Sequence, residues 1–309
     1  WVNLELDGSA VVRSGIPDLG GGQRESLRAV VAEVLGLKID EVHVISTDSQ
    51  LTPPAGTVTA TRALYMSGNA AKLAAEQVRT IITDKAAQVL GVPAASLSLR
   101  DKTVRCGSDP KKTMPLTEAI KLCHFDGIIP HSLATFKAPF TEPITSDVIK
   151  DPVFPDFTFG AQAAEVAVDV ETGEVSVLKW ASAYDVGQAI NLNRVEGQME
   201  GGAAQGIGFG LMEDYIEVGG VPWTWNLHDY LIPTSLDVPD ITSIALQSHS
   251  GKGPFGAKGI GEPSISAAGP AVASAVADAI GKRITHLPIT PERVFFALHG
   301  RQDGGPAKA

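Results

Sequence analysis

From Gln23 to Leu35 the apolar positions Leu27, Val30, Val31, Val34 and Leu35 recur every three or four residues, which predicts an amphipathic helix ending at Gly36. A longer run of the same period, from about Ala63 to Leu90, stops before Gly91 and Pro93, neither of which extends a helix. Ahead of these, LELDGSAVVRSG alternates around Asp7-Gly8 and predicts two short strands joined by a turn, while EVHVIS predicts a strand with its valines and isoleucine inward. Residues 91 to 158 are less regular. LSLRD and TVRC are strand-like, LTEAIKLC suggests a short helix, and Pro139 to Pro155 is proline-rich, so this region is expected to act as a connector.

The pattern then restarts. AAEVAVDVETGEVSVLKWASAYDVG predicts two long strands joined at Thr172-Gly173, followed by a helix from about Asn193 to Met212 and a hairpin around Gly219-Gly220. ITSIALQSH predicts another strand. Ala268, Val272, Val276 and Ala279 or Ile280 mark a further apolar helix, and TPERVFFALH a last one, with Thr290 as cap and Pro291 at its first position. Helices and strands alternate, yet several strands are joined by hairpins. The expected fold is therefore α/β or α+β with mixed sheets in two lobes, residues 1–150 and 151–300, with a tail at 301–309.

Composition narrows the function classes. With 309 residues and 44% hydrophobic content the chain can bury a large core. A net charge of -10 and the lack of any Lys/Arg run argue against a nucleic-acid surface, which needs clustered cations. Two cysteines, Cys106 and Cys123, are too few for an iron-sulfur cluster or a cysteine zinc site and are expected to be reduced thiols in a cytoplasmic protein. No apolar run approaches a membrane span, and WVNLELDGSA lacks the form of a secretory leader. The chain begins without Met, as a fragment, a processed product or one subunit of something larger would.

Glycine poses a problem in VEGQMEGGAAQGIGFGLMED, which is helical by its apolar positions yet carries Gly197, Gly201, Gly202, Gly206, Gly208 and Gly210. Each costs up to about 1 kcal/mol against alanine in a helix interior, so something must offset several kcal/mol. Gly202, Gly206 and Gly210 share one face, open either to close helix packing or to a flat ligand. Gln198 and Gln205, seven apart on one face, favour a ligand that needs amide hydrogen bonds. The loops DLGGGQ, PAGTVTATR and GKGPFGAKGIGEP are similarly rich in Gly, Thr or Ser and are expected to present backbone N–H groups to a polar, anionic cofactor. None is a P-loop or a dinucleotide fingerprint.

Several of these stretches, FGAQAAEVAVDVETGEVSVLKWASAYDVGQAINLNRVEGQMEGGAAQGIGFGLMED, NLHDYLIPTSLDVPDI and AKGIGEPSISAAGPAVASAVADAI, together with DLGGGQ and TATRALYMSGNA, resemble the C-terminal half of the molybdopterin-binding subunit of the xanthine dehydrogenase and aldehyde oxidoreductase family. The resemblance runs from about residue 5 to residue 298, with the motifs in the family's order. It implies a molybdenum hydroxylase that adds oxygen from water to an electron-poor carbon of an N-heterocycle or aldehyde. Glu262, between Gly261 and Pro263, matches the family's GEP motif, whose glutamate is the general base. Gly20, Gly21, Gly22, Thr61, Arg62, Asn69, Gln198, Gln205, Ile260 and Gly261 match positions that contact the pterin cofactor, with Thr59 and Ala60 near the substrate; no side chain binds the metal directly. Many members carry glutamine where this chain has Gly21, a departure that removes one side-chain amide from the metal's surroundings.

The family's preceding molybdenum domain is missing from this sequence. The resemblance therefore implies a split molybdenum subunit, as the medium subunit of nicotinate dehydrogenase is, with a second molybdenum-domain subunit as partner. It also implies the cytosine dinucleotide form of molybdopterin, an iron-sulfur partner carrying [2Fe-2S] clusters and an FAD subunit. Two alternatives stand beside it: a non-catalytic assembly or structural relative, and a cleaved C-terminal piece of a full-length molybdenum subunit.

Overall fold

The computed structural model describes residues 1–138 and 154–300. The expected tail at 301–309 and most of the proline-rich stretch lie outside them. The described residues divide into two compact units, 1–138 and 154–157 with 249–258, and 158–248 with 259–300. Residues 249–258, placed by sequence in the second block, thus belong to the first unit.

In the first unit, β1 (Val2–Leu4) and β2 (Ala10–Ser14) form the expected antiparallel pair. β2 pairs in parallel with β3 (Val42–Ser46), across α1 (Gln23–Leu35), and β1 pairs with β7 (His131–Ser132), giving the order β3-β2-β1-β7. All five predicted apolar positions of α1 are buried. The helix ends at Gly36, whose left-handed backbone (φ 61°) lets it lie so close to the Leu99 carbonyl that any side chain would overlap it. A π-helical turn, Leu64–Gly68, leads into α2 (Asn69–Leu90), which buries Ala74, Ala75, Val78, Ile82 and Ala86.

The expected connector is not one. β4 (Leu97–Arg100), β5 (Thr103–Cys106) and β6 (Thr113–Pro115) form an antiparallel sheet followed by α3 (Leu116–Phe125). Leu99, Val104, Met114, Leu116, Ile120 and Cys123 from these elements join the first unit's core. Cys106 and Cys123 are buried free thiols. The hydroxyls of Ser108 and Ser96 lower the Cys106 thiol to about 7, whereas burial raises Cys123.

The second unit is built on β8 (Gly160–Val168) and β9 (Val175–Asp185), antiparallel, with β12 (Ile241–Leu246) parallel to β9. Between β9 and β12 run α4 (Leu192–Leu211) and a hairpin of β10 (Glu217–Val218) and β11 (Val221–Pro222), whose turn residues Gly219 and Gly220 both have positive φ. α5 (Pro263–Ser266) is a single turn, followed by α6 (Ala268–Ile280) and α7 (Pro291–His299). Thr290 caps α7 by accepting from the Arg293 N–H at 3.3 Å. Trp180, Ala203, Ile207, Ala268, Val272, Val276 and Val294 form this unit's core. Among the described residues no helix is long and apolar enough to cross a membrane.

Candidate functional site

Five of the six glycines of α4 divide into two sets, and a methyl group on the sixth, Gly208, would overlap Glu213 and Pro233. Gly202, Gly206 and Gly210 face α5 and α6: a methyl group on Gly202 would overlap Ser264, one on Gly206 would overlap Ala268, and one on Gly210 would press on Val272 at 3.2 Å. This face is close helix packing. Burial of Met199, Ile207 and Leu211 stabilises the unit by roughly 1.5–3 kcal/mol each, which offsets the six glycines at up to about 1 kcal/mol apiece. Gly197 and Gly201 are different, because nothing lies within 4 Å of a Cβ built on either. Gln198 and Gln205 sit within about 60° of Gly202 around the helix axis, on the flank that leads to Gly201. α4 therefore packs through one glycine edge and leaves an open, amide-bearing edge beside it.

The contact at Gly202 also fixes the turn that carries Glu262. Pro263 starts α5, and Glu262 precedes it with helical backbone angles (φ -74°, ψ -34°). Buried Ser264 donates its hydroxyl to the Gly261 carbonyl at 2.6 Å, and Ser266 donates to the Glu262 carbonyl at 3.2 Å. Gln162 of β8 reaches in with its amide nitrogen, 2.8 Å from the Ser264 carbonyl and 3.2 Å from the Ser182 hydroxyl, which also accepts from the Trp180 indole at 2.9 Å. Thr158 holds the Gly259 carbonyl at 2.7 Å. Glu262 itself is exposed, and the turn that carries it is anchored by these hydrogen bonds. Ile260 is buried with Tyr184, Val186 and Met199, so its side chain is committed to the core.

Sequence reasoning missed Gln162 and Ser182. Their signal was available, since both are polar residues at inward positions of strands that otherwise alternate. Gln162→Ala should leave the Ser264 carbonyl without its donor and cost about 1–3 kcal/mol in unfolding free energy, measured by denaturant titration. An unchanged midpoint would mean that the amide does not brace the turn.

The first unit carries the other candidate residues. Gly20, Gly21 and Gly22 lie ahead of α1, but their loop does not present its N–H groups freely as expected. Asp18 accepts from the N–H groups of Gly20 (3.0 Å), Gly22 (3.1 Å) and Arg24 (3.2 Å), and so closes the start of α1 with its own anion. Asp18→Ala should destabilise α1 by about 1–2 kcal/mol, as loss of a helix cap does, seen as faster amide exchange over Gln23–Leu27.

Beside this clamp, Gln23 Oε1 is buried without a hydrogen-bond partner, and Gln23 Nε2 lies 2.7 Å from where a Gly21 Cβ would be. An orphaned amide oxygen next to a bare glycine fits a site whose last donor comes from a bound molecule.

Thr59, Ala60, Thr61 and Arg62 form a tight turn closed by the Arg62 N–H donating to the Thr59 carbonyl at 3.1 Å. Ala60 and Thr61 both adopt left-handed angles (φ 50° and 53°), a cost of about 1–2 kcal/mol each for residues with a Cβ. Backbone strain thus falls on two of the expected site residues. Asn69 donates from its side-chain nitrogen to the Tyr65 and Lys252 carbonyls, both at 2.9 Å, and so ties the π-turn to the loop at 249–258. In that loop the N–H groups of Gly251 and Gly253 are also engaged, by the carbonyls of Gly256 and Ala257. No group of three or more His, Cys, Asp or Glu side chains among the described residues could hold a metal ion. Within the second unit, an open glycine edge and two amides beside a braced glutamate turn suit a bulky polar ligand that brings its own metal ligands.

Residues 1–239 match the molybdopterin cofactor-binding domain. The chain belongs to this family. It is 34% identical over 301 residues to the probable hypoxanthine oxidase XdhD of Escherichia coli K12, covering 96% of this chain and 30% of that protein. It is 29% identical over 299 residues to the xanthine dehydrogenase molybdenum-binding subunit of Escherichia coli O157:H7, covering 96% and 38%. Among solved structures, quinoline 2-oxidoreductase from Pseudomonas putida 86 superposes with a TM-score of 0.84 at 31% identity, over 97% of this chain and 38% of that one. The mixed α/β fold is thus that of the molybdenum hydroxylases of the xanthine dehydrogenase family, and the chain spans about a third of the relatives it matches.

Proposed function

We propose that this chain is the pterin-binding half of a molybdenum subunit in a multi-subunit hydroxylase, and that Glu262 is its general base. The observation that carries the reading is the turn at Gly261–Pro263, braced by Gln162, Ser264 and Thr158 and set against α4 beside the open edge of Gly201, Gln198 and Gln205. A base must be aimed as well as ionised, and this turn is held by partly buried hydrogen bonds from three side chains.

Gly20, Gly21, Gly22, Thr61, Arg62, Asn69, Gln198, Gln205, Ile260 and Gly261 would hold the cofactor, in its cytosine dinucleotide form. Ile260 would act through its backbone, and Asn69 by fixing the loop it ties. Gln23 supplies the amide that Gly21 lacks. When bound, the cofactor supplies activation of water and the two-electron oxidation. The Glu262 carboxylate oxygen takes up the proton of the attacking hydroxyl. [2Fe-2S] clusters and FAD belong to partner subunits, with a second molybdenum-domain polypeptide completing the cleft, in the cytoplasm. The named substrates of the relatives, hypoxanthine, xanthine and quinoline, favour an N-heterocycle over an aldehyde.

The test is metal analysis of the purified complex together with turnover of a panel of N-heterocycles and aldehydes in water labelled with oxygen-18. Molybdenum near one per copy of this chain and label in the product support the reading. A complex without molybdenum overturns it.

A further inference from the structure

Beyond the anchors that Tyr230 makes with Glu213 (2.6 Å) and Pro233 makes against Gly208, residues 215–229 leave the body of the second unit. The β10–β11 hairpin is extended by the Trp223 N–H donating to the Ile216 carbonyl at 2.8 Å, and by Thr224 accepting from the Ile216 N–H at 2.8 Å. Every residue from Tyr215 to Asp229 except Thr224 is exposed, and those exposed include Trp223 (65%), Trp225 (78%) and Leu227 (70%). An isolated two-stranded hairpin is marginal in water, and soluble surfaces rarely leave two indoles and a leucine together without a partner. The two indoles alone expose on the order of 300 Å², a large part of the roughly 800 Å² that each side of a stable interface buries.

Charge says what kind of partner. No Lys or Arg occurs between Arg194 and Lys252, whereas Glu217, Asp229, Asp237 and Asp240 lie in or just beyond the hairpin segment. The surface is apolar with an acidic rim, and it calls for an apolar socket edged with cations.

We infer that residues 215–229 dock into the remainder of the molybdenum subunit, the polypeptide corresponding to the 62% or more of each relative that this chain does not span. The inference rests on the proposed function, which supplies that polypeptide, and it holds whether the two are joined or separate. The indoles fill the socket, and Glu217 and Asp229 pair with lysines or arginines at its edge.

The experiment is radical footprinting and carbodiimide cross-linking of the intact purified complex, with Phe125, 92% exposed on the first unit, as an accessible reference. Trp223 and Trp225 should be oxidised at least about tenfold less than Phe125, although indole is the more reactive ring, and Glu217 or Asp229 should cross-link to the molybdenum-subunit remainder. Where the remainder is a separate polypeptide, Trp223→Ser with Trp225→Ser should weaken its co-purification by about tenfold or more, the scale of an aromatic hot spot, while Phe125→Ser leaves it unchanged. Indoles oxidised as readily as Phe125 overturn the inference. So do cross-links to a second copy of this chain, or to an iron-sulfur or flavin subunit instead. If the double variant fails to fold, the footprint of the unmodified complex decides. A complex that contains molybdenum but leaves the indoles bare defeats the docking surface alone; one that lacks molybdenum defeats the functional reading.

Discussion

Glu262→Gln should lower turnover of the complex by about 10²–10⁴-fold, the range lost when a positioned general base is removed, while molybdenum content stays within a factor of about two. The amide keeps the shape of the side chain but cannot accept a proton. The Gly261 and Glu262 carbonyls, Ser264, Ser266 and Gln162 hold the turn through bonds which the substitution leaves in place. The expected signature is therefore a fall in kcat without loss of cofactor. A variant that retains near-normal turnover removes Glu262 from the proton transfer. One that loses molybdenum in proportion to activity makes the residue a structural member of the cofactor site. Gln162→Ala gives the contrasting pattern, a fall in stability with a smaller loss of rate.

Much of this was legible in the sequence because it is local. The bounds of α1 follow from five apolar positions and Gly36, and the strands about Thr172-Gly173 and the cap at Thr290 follow from turn and helix-start chemistry. Glu262 is singled out by the motif around it and is tested by the substitution above. What escaped depends on contacts far apart in the chain. β6 and β7 are three and two residues long, too short to show a period. Residues 97–125 read as a connector because the burial of Val104, Met114 and Ile120 is set by a core assembled from the rest of the first unit. The loop at 18–22 looked like a source of free N–H groups, yet Asp18, the first residue of DLGGGQ, takes those of Gly20 and Gly22. A carboxylate two to four residues before a glycine-rich helix start is a local signal that could have been weighed.

The glycines of α4 give the sharpest case, because one substitution should have opposite signs at positions five residues apart. Gly206→Ala places a methyl group on top of the Ala268 Cβ at the α4–α6 contact, and a Cβ fixed to its backbone cannot move aside as the end of a flexible side chain would. Overpacking of that kind costs about 1–3 kcal/mol, more than the gain of up to about 1 kcal/mol from replacing glycine in a helix, and Gly206→Leu should exceed that and prevent accumulation of folded protein. Gly201→Ala meets nothing within 4 Å and keeps only the helical gain, so it should raise the thermal midpoint by a few degrees at most. The open edge is then tested by size. Gly201→Leu should be tolerated in the fold, since the space around it is empty, yet cut molybdenum content several-fold if α4 meets the cofactor there. Thermal melts and metal analysis on these variants separate the two glycine edges: Gly206 variants fail by stability, Gly201→Leu fails by loading, and Gly201→Ala improves stability. If Gly201→Leu carries full molybdenum with an unchanged melt, the open edge of α4 is surface and the cofactor lies elsewhere.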